Sequence, residues 1–300
     1  MSAGSQRSAI SRQLDAGLVR ELVAAALSED RAEDDITTKA LIPADQRGRA
    51  SLVAKAEGVV AGLPVAEVVF ATLDSELAWS TQKADGDLIS AGESIASIEG
   101  HLASILRGER VALNFLAHLS GVASMTATVV ALLEGTDCRL RDTRKTTPGL
   151  RALEKYAVRM GGGANHRMDL SDGVLIKDNH LAALRSRLPA RADYIGEAVR
   201  LARGANPGAP IEIEVTSVGE ARRALDSGAE ELLLDNMSLD AMRQVVAFAS
   251  GREARPGLEA SGGITLESAR AVAETGVDFI SMGAITHSAP ALDMSLEVQA

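Results

Sequence analysis

The stretch IEIEVTSVGEARRALDSGAEELLLDN, residues 211–236, shows how the second half of this 300-residue chain folds. Two short apolar runs, 211–215 and 231–235, have the length and composition of buried strands, and the amphipathic segment 219–228 between them predicts a helix. Strands joined by a helical crossover pair in parallel. The stretch therefore predicts a parallel α/β architecture.

The same alternation of strands and helices extends over residues 138–283, where we count six strand-like segments. Six strands at such short spacing favour a barrel or near-barrel over a three-layer open sheet, and in barrels of this kind the carboxyl ends of the strands form the active face. Polar residues and glycines occupy these predicted strand ends: Arg144, Lys145, Lys177, Asp178, Asn179, His180, Glu214, Asp235, Asn236, Ser261, Gly262, Gly263 and Gly283. Their convergence predicts a functional site at that edge.

The first half of the chain has a different pattern. Over residues 48–100, short alternating runs broken by Gly and Asp predict an antiparallel sheet. Helices are predicted at Ala16–Ser28 and at residues 64–73. Apolar positions recur every three or four residues over 101–133, which predicts a long helix with a break at Gly121.

Composition excludes several classes of protein. Hydrophobic residues make up 46% and charged residues 24%, so the chain is too apolar to be mainly disordered. A formal net charge of −10 and an aromatic content of 2% argue against nucleic-acid binding, which uses positive charge and stacking aromatic rings. No apolar run approaches the ~20 residues that span a bilayer. Cys138 is the only cysteine, and the first residues lack a secretory apolar segment, which predicts a cytoplasmic protein.

Positive charge is nevertheless concentrated in one segment. Residues 139–187 contain eleven Lys and Arg against five Asp and Glu, a local charge of +6. Such a segment in an acidic chain predicts a site for a small, highly charged anion. The alternative is a helix with a solvated basic face, which would account for part of Arg151, Lys155 and Arg159.

Two motifs in this segment carry candidate anion-binding side chains. Thr143, Arg144 and Lys145 follow the first predicted strand of the series, and guanidinium forks and lysines bind carboxylates and phosphates. His166 and Arg167 follow a run of three glycines. The alternative for this second motif is a flexible loop with an ordinary surface histidine.

Carboxylates follow on neighbouring predicted strands. Glu212 and Glu214 share a face because strand side chains alternate, and Asp235 ends the next strand. Buried carboxylates need a cationic partner or a metal, and hard oxygen ligands suit Mg²⁺ shared with substrate phosphates. Salt bridges to Lys145 or Lys177 are the alternative, and both interpretations can hold together.

Glycine-rich segments end the last two predicted strands. Ser261, Gly262, Gly263 and Gly283 stand where glycines let backbone N–H groups approach a phosphate. No G-x-G-x-x-G, G-x-x-x-x-G-K-[ST], H-E-x-x-H or G-x-S-x-G motif occurs. Rossmann-type hydride transfer, P-loop chemistry, and zinc-protease or α/β-hydrolase action therefore lose support.

Six motifs taken together resemble the quinolinate phosphoribosyltransferase family, also called decarboxylating nicotinate-nucleotide pyrophosphorylases. They are RDTRKTTPGLRALEKYAV (141–158), GGGANHRMDLSDGVLIKDNH (161–180), EIEV (212–215), LLLDNM (232–237), EASGGI (259–264) and DFISMGAITHS (278–288). The resemblance extends from about Leu14 to the C-terminus. It implies a glycosyltransferase (pentosyltransferase) that uses Mg²⁺ and forms a homodimer. The implied reaction transfers the phosphoribosyl group of 5-phosphoribosyl-1-pyrophosphate to quinolinate with decarboxylation, giving nicotinate mononucleotide, CO₂ and pyrophosphate in de novo NAD biosynthesis.

The resemblance also completes the expected fold class. That class is α/β, with an N-terminal α/β sandwich (an antiparallel sheet with helices) and a C-terminal barrel-like parallel α/β domain. The family barrel is usually described with seven strands, one more than we count. The expected boundaries are a flexible tail over 1–15, the sandwich over 16–115, the barrel-like domain over 116–285, and a C-terminal segment over 286–300 that returns to the N-terminal domain.

The resemblance assigns roles to particular residues of this sequence. Substrate contacts are expected from Arg110 of the neighbouring subunit and from Thr143, Arg144, Lys145, His166, Arg167, Lys177, Glu214, Asp235, Ser261, Gly262, Gly263 and Gly283. Catalysis is expected from Lys145, Lys177, Glu214 and Asp235. The metal is expected at Glu214 and Asp235, directly or through water or the substrate pyrophosphate. Thr216 stands where relatives often carry an acid, so a carboxylate role at that position is in doubt.

Two alternatives remain open. One is a related pyrophosphorylase-like protein associated with molybdenum transport, which the intact LIKDNH and GGGANHR motifs argue against. The other is a barrel that binds a phosphorylated ligand without catalysis. Retention of Lys145, Glu214 and Asp235 argues against it, because binding alone does not need the acids on the metal side.

Overall fold

A computed structural model describes residues 14–190 and 192–299, so most of the expected tail over 1–15 lies outside the described residues. The chain divides into two compact units. The N-terminal unit takes in the described residues up to Thr128, Thr146–Gly163 and the described residues from Ala284. The C-terminal unit takes in Val129–Lys145 and Ala164–Gly283.

The secondary structure alternates as the sequence predicts. The helices are α1 (Ala16–Glu29), α2 (Ile36–Leu41), α3 (Leu63–Leu73), α4 (Leu102–Leu132), α5 (Arg151–Met160), α6 (Asp178–Arg185), α7 (Tyr194–Ala205), α8 (Val218–Asp226), α9 (Leu239–Ser250), α10 (Leu266–Ala273) and α11 (Ala284–His287). The strands are β1 (Arg47–Ala54), β2 (Gly58–Val59), β3 (Ala78–Thr81), β4 (Leu88–Ile89), β5 (Ser94–His101), β6 (Arg139–Arg141), β7 (Val174–Ile176), β8 (Ile211–Val215), β9 (Glu231–Asp235), β10 (Gly257–Ser261), β11 (Phe279–Ser281) and β12 (Met294–Gln299).

The N-terminal unit is built on an antiparallel sheet, as predicted. Its strand order is β12-β1-β5-β3, with a separate two-stranded sheet of β2 and β4. Strand β1 pairs antiparallel with β5 on one side and with β12 on the other, so the last strand of the chain completes the first sheet. Helices α1 and α3 pack against each other in the same unit.

Helix α4 runs unbroken from Leu102 to Leu132, so the predicted break at Gly121 is wrong. Gly121 is needed for packing instead, because a Cβ there would lie 2.1 Å from the carbonyl oxygen of Pro290. By length and apolar composition, α4 is the described helix that could cross a bilayer. Half of its most apolar stretch is buried inside the protein, with Leu116 and Leu119 fully buried, which is the pattern of a core helix.

The C-terminal unit confirms the predicted parallel α/β architecture. Six strands form a parallel sheet in the order β6-β11-β10-β9-β8-β7. Ala164 makes a further parallel bridge with Arg141. This bridge marks a seventh strand position beside β6, which a search for apolar runs cannot detect because it is a single residue pair.

Alternation along the strands gives this sheet two different faces. Ile213, Leu232, Leu234, Leu258 and Ile280 are fully buried, and they lie on the face against which the crossover helices pack. The side chains between them point to the other face and are mostly polar or charged. An interior face of this composition is unusual for a barrel, whose interior is normally filled by branched apolar residues.

Short connections place the functional side chains at the strand ends. The hydroxyls of Ser217 and Ser238 accept N–H groups of the first turns of α8 and α9, which is the usual N-cap arrangement. These caps follow β8 and β9 within three residues. The chain therefore turns immediately after each strand and leaves Glu214 and Asp235 at the carboxyl edge of the sheet.

Candidate active site

The C-terminal unit contains a cavity of about 470 Å³ at the carboxyl ends of its strands. The wall includes eleven of the residues that the sequence predicts: Thr143, Arg144, Lys145, His166, Arg167, Lys177, Asp178, Glu214, Asp235, Ser261 and Gly262. Four others complete it: Leu175, Leu233, Glu259 and Ser281. The sequence motifs thus meet at one site.

Cationic side chains crowd this cavity. Burial and the nearby charge of Arg144 lower the pKa of Arg167, so the two guanidinium groups repel each other. Arg167 is held in place by a hydrogen bond that its Nη1 donates to the carbonyl oxygen of Gly173 at 2.9 Å. Lys145 and Lys177 line the same space. This concentration of positive charge favours a small anion with several negative groups.

Two carboxylates face the cations across the strand ends. Burial and the nearby charge of Asp235 raise the pKa of Glu214. Lys177 Nζ lies 3.8 Å from Glu214 Oε2, so the salt bridge considered as an alternative is present. Asn236, in the left-handed region at φ 51°, donates its side-chain amide to Asp235 Oδ2 at 2.8 Å and fixes that carboxylate.

Gly262 is required by this arrangement. Its φ is +86°, and a Cβ there would lie 2.5 Å from the side chain of Asn236. A larger residue would therefore displace the amide that holds Asp235. Two predicted glycines are not among the described residues that line the cavity: Gly263 directly follows Gly262, and Gly283 follows Ser281 by two positions.

Arg110 lies elsewhere in this chain. It is exposed on α4 in the N-terminal unit. There it lines a separate concavity of about 680 Å³ together with Arg107, Lys39, Asp34 and Asp35. Its expected role in a neighbouring subunit stays a prediction.

A buried ionic network extends from the cavity wall, and one of its members, His166, was predicted as a substrate contact. We call Arg141, His166, Glu212, Glu231 and Glu259 the buried network. Arg141 donates to Glu259 Oε2 at 2.9 Å and to Glu231. Glu259 is only 1% exposed, and burial together with the charge of Glu212 raises the pKa of Glu259 to about 7.

His166 connects the buried network to the cavity. Its Nε2 lies 2.9 Å from Glu212 Oε2 and 3.7 Å from Glu259 Oε2. Its Nδ1 accepts the backbone N–H of Arg167 at 2.7 Å, and its own backbone N–H donates to the buried Asp142 at 2.8 Å. Burial alone would lower the pKa of His166, but the hydrogen bond to Glu212 and the charges of Glu259 and Glu212 raise it.

The strand alternation that places Glu212 on the face of Glu214 also applies to Glu259, which precedes Ser261 by two residues. Because side chains two apart in a strand share a face, Glu259 had to lie beside the predicted site residues. The identity of its partner Arg141 had no such signal.

This parallel, barrel-like α/β unit gathers cations and paired carboxylates at its strand ends. These features define a class of enzyme that binds small, multiply charged, phosphorylated substrates. The more specific assignment comes from known proteins. The family described as quinolinate phosphoribosyl transferase, N-terminal domain, matches residues 35–120, and its C-terminal domain counterpart matches residues 122–297. The chain belongs to the quinolinate phosphoribosyltransferase family, whose members are phosphoribosyltransferases.

Individual relatives agree over nearly the whole chain. The probable nicotinate-nucleotide pyrophosphorylase [carboxylating] of Bacillus subtilis (strain 168) is 44% identical and covers 90% of each chain. The quinolinate phosphoribosyltransferase [decarboxylating] 1b of Nicotiana tabacum is 36% identical over 93% of this chain and 82% of its own. The solved nicotinate-nucleotide pyrophosphorylase of Francisella tularensis superposes with a TM-score of 0.87 at 37% identity, covering 96% of this chain and 98% of its own.

Proposed function

We propose that this chain transfers the phosphoribosyl group of 5-phosphoribosyl-1-pyrophosphate to quinolinate and decarboxylates the product. The products are nicotinate mononucleotide, CO₂ and pyrophosphate, a step of de novo NAD biosynthesis. The observation that carries the proposal is the single cavity in which a cation cluster faces a pair of strand-end carboxylates. Family membership and the names of its relatives support the same reaction.

The cation cluster accounts for recognition of a dicarboxylate. Arg144, Arg167 and Lys177 present guanidinium and ammonium donors to one cavity, and such donors bind carboxylates strongly. Burial and the nearby charge of Arg144 lower the pKa of Arg167, and the repulsion between the two cations is relieved when anionic groups enter between them. Thr143 and Lys145 extend the donor set toward the phosphorylated substrate.

The carboxylate pair fits Mg²⁺. Glu214 and Asp235 supply hard oxygen donors. Burial and the nearby charge of Asp235 raise the pKa of Glu214, and a cation would relieve the repulsion between the two carboxylates. When bound there, the metal would neutralise charge on the departing pyrophosphate. Ser261, Gly262, Gly263 and Gly283 are proposed to hold the 5′-phosphate through hydroxyl and backbone N–H donors.

The reaction follows from these positions. The bond between ribose C1 and the pyrophosphate oxygen breaks, and the pyridine nitrogen of quinolinate attacks the oxocarbenium-like carbon. When the 2-carboxylate departs as CO₂, its bonding electron pair stays on ring carbon C2 as a carbanion stabilised by the adjacent positively charged nitrogen, and that carbon then takes up a proton. The cations orient the dicarboxylate for both steps, and no covalent nucleophile is required.

We also propose a homodimer in the cytoplasm, with Arg110 contributed to the neighbouring active site. Arg110 is exposed on α4 and lies outside the cavity wall of its own chain. Mixed dimers test this. Arg110→Ala and Lys177→Ala should each be nearly inactive alone, whereas a heterodimer of the two should recover one of its two sites. Heterodimers that form without recovering activity would refute the shared site.

One assay tests the reaction itself. Purified protein is mixed with quinolinate, 5-phosphoribosyl-1-pyrophosphate and Mg²⁺, and nicotinate mononucleotide is measured. Arg243→Ala, which removes an exposed guanidinium on α9, serves as a control that should keep full activity. Binding of both substrates without product would favour a non-catalytic barrel, and failure to bind quinolinate would favour the molybdenum-associated relatives.

A further inference from the structure

A hydrogen bond between neighbouring residues restricts what His166 can do. The backbone N–H of Arg167 donates to Nδ1 of His166 at 2.7 Å, so Nδ1 must offer a lone pair. In the neutral ring the proton then lies on Nε2, 2.9 Å from Glu212 Oε2. This tautomer, inferred from the hydrogen-bond pattern, satisfies both bonds at once and engages both ring nitrogens with protein atoms.

Two buried carboxylates support this tautomer. Glu212 is 6% exposed and Glu259 is 1% exposed. Arg141 binds Glu259 at 2.9 Å and keeps that carboxylate beside His166 Nε2. Oε1 of Glu212 is buried and has no hydrogen-bond partner among the described residues. The bond of its other oxygen, Oε2, to His166 therefore holds the Glu212 carboxylate.

The same three groups have the spacing of a metal site, but their hydrogen bonds argue against one. Nε2 of His166 and one oxygen from each of Glu212 and Glu259 lie within 4.8 Å of one another. A metal on Nε2 would move the ring proton to Nδ1, where it would face the N–H of Arg167. Arg141 already supplies a positive charge to Glu259. The geometry favours a hydrogen-bonded histidine.

We propose that Glu212, supported by Glu259 and Arg141, is a positioning residue for the substrate dicarboxylate: it holds the His166 ring so that Nδ1 anchors the backbone of Arg167. This inference rests on the proposed function, in which Arg167 binds quinolinate. His166 then acts through Arg167, in addition to lining the cavity itself. The guanidinium of Arg167 is fixed separately by its bond to Gly173, so the two anchors together set the position of its charge.

Steady-state kinetics with separate titrations of the two substrates test the proposal. Glu212→Leu removes the acceptor for Nε2–H and should raise KM for quinolinate about 10-fold or more, the scale of outer partners that orient ligating histidines. KM for 5-phosphoribosyl-1-pyrophosphate should stay unchanged. Glu212→Gln keeps an oxygen that can accept Nε2–H and should restore most of the quinolinate affinity.

A carboxylate in the connection just before β9 provides the control. Glu230 accepts the backbone N–H of Ile211 at 2.9 Å, at the end of β8 opposite the cavity. Glu230→Leu should leave both KM values unchanged. Equal increases of both KM values in Glu212→Leu, or a Gln variant as impaired as Leu, would mean that Glu212 does not position Arg167 through a hydrogen bond, and would overturn the proposal.

Nitrogen-15 NMR of the histidine-labelled wild-type protein tests the tautomer without relying on turnover. The signal of His166, assigned by its loss in His166→Phe, should show a protonated Nε2 and an unprotonated Nδ1 at a pH above the raised pKa of the ring. A proton on Nδ1 would refute the anchor. Wild-type protein that shows the expected tautomer but forms no nicotinate mononucleotide would refute the proposed function alone.

Discussion

Two glutamates, one in each unit, are equally buried but have opposite pKa shifts. Glu154 on α5 is 0% exposed and Glu259 on β10 is 1% exposed. Burial by itself would raise the pKa of both carboxyls. In Glu154, hydrogen bonds from His118 and Thr147 outweigh burial and lower the pKa. In Glu259, the charge of Glu212 adds to burial, and the pKa rises to about 7.

Neighbouring groups contribute to this difference. One oxygen of Glu154 lies 2.8 Å from His118 Nε2, and the other accepts the backbone N–H of Thr147 at 3.1 Å. The C-terminal unit instead brings like charges together, in Glu212 with Glu259 and in Arg144 with Arg167. Groups perturbed in this way concentrate at functional sites. Glu154 therefore has the environment of a structural group, and the C-terminal cluster has that of a ligand site.

The largest expected effect concerns the crowded cations. If they are matched to two carboxylates, quinolinate should be preferred over nicotinate by about 10⁴ in kcat/KM, as in sites built around a polar substrate group. Nicotinate would leave part of the cluster unpaired, and it lacks the 2-carboxylate that must depart. Competition assays at constant ionic strength decide this: phthalate should inhibit and nicotinate should bind poorly. Nicotinate binding as tightly as quinolinate would mean that the cations serve only phosphates.

The crowded carboxylates should matter for turnover more than for quinolinate binding. Asp235→Asn and Glu214→Gln should each lower kcat by about 10²–10³, the typical loss of one preorganised transition-state contact, while quinolinate still binds. Asp240→Asn, which changes an exposed carboxylate on α9, is the matched control. Wild-type kcat in both site variants at saturating Mg²⁺ would remove these acids from the mechanism.

The sequence predicts local features better than contacts between distant segments, for physical reasons. Strand ends such as Asp235 and Ser261 follow from local alternation, so most of the cavity wall could be predicted. The pairing of Arg141 with Glu259 joins residues 118 positions apart and depends on β11 lying between β6 and β10. No periodicity in one segment carries that information. The role of Gly121 was missed for the same reason, because its partner Pro290 comes from a distant segment.

A matched pair of variants tests the two buried glutamates directly. The pKa of Glu154 is depressed, so its stabilising contribution is present above its ordinary pKa of 4.5 and is lost as pH falls through the folded value. Glu154→Gln should cost about 1–3 kcal/mol at neutral pH, the range for leaving a buried hydrogen-bonding group unsatisfied. That cost should be constant between pH 4.5 and 7 and shrink at lower pH.

Glu259→Gln should behave in the opposite way. The pKa of Glu259 is raised from 4.5 to about 7, so ionisation weakens the fold increasingly across that window and fully above it. The variant should gain stability relative to wild type as pH rises from 4.5 to 7, by at most about 3 kcal/mol. The gain is smaller than this limit to the extent that the substitution also removes the ion pair with Arg141. Urea unfolding midpoints across this range measure both variants. If the stabilities of the two variants relative to wild type changed with pH in the same way, the two glutamates would not differ as described.

The smallest expected effect is a loss of stability, without loss of activity, from a packing change in the N-terminal unit. Gly121→Ala places a Cβ 2.1 Å from the Pro290 carbonyl oxygen, and such overpacking costs about 1–3 kcal/mol. Replacing a helical glycine by alanine returns about 1 kcal/mol, so a net loss of up to about 2 kcal/mol is expected, with activity per folded molecule unchanged. Gly204→Ala on α7 is the control, since its Cβ would meet nothing within 4 Å and should stabilise the protein. Thermal unfolding of both variants decides the matter. If Gly121→Ala stabilises the protein as much as Gly204→Ala does, α4 does not approach Pro290 as closely as the structure shows.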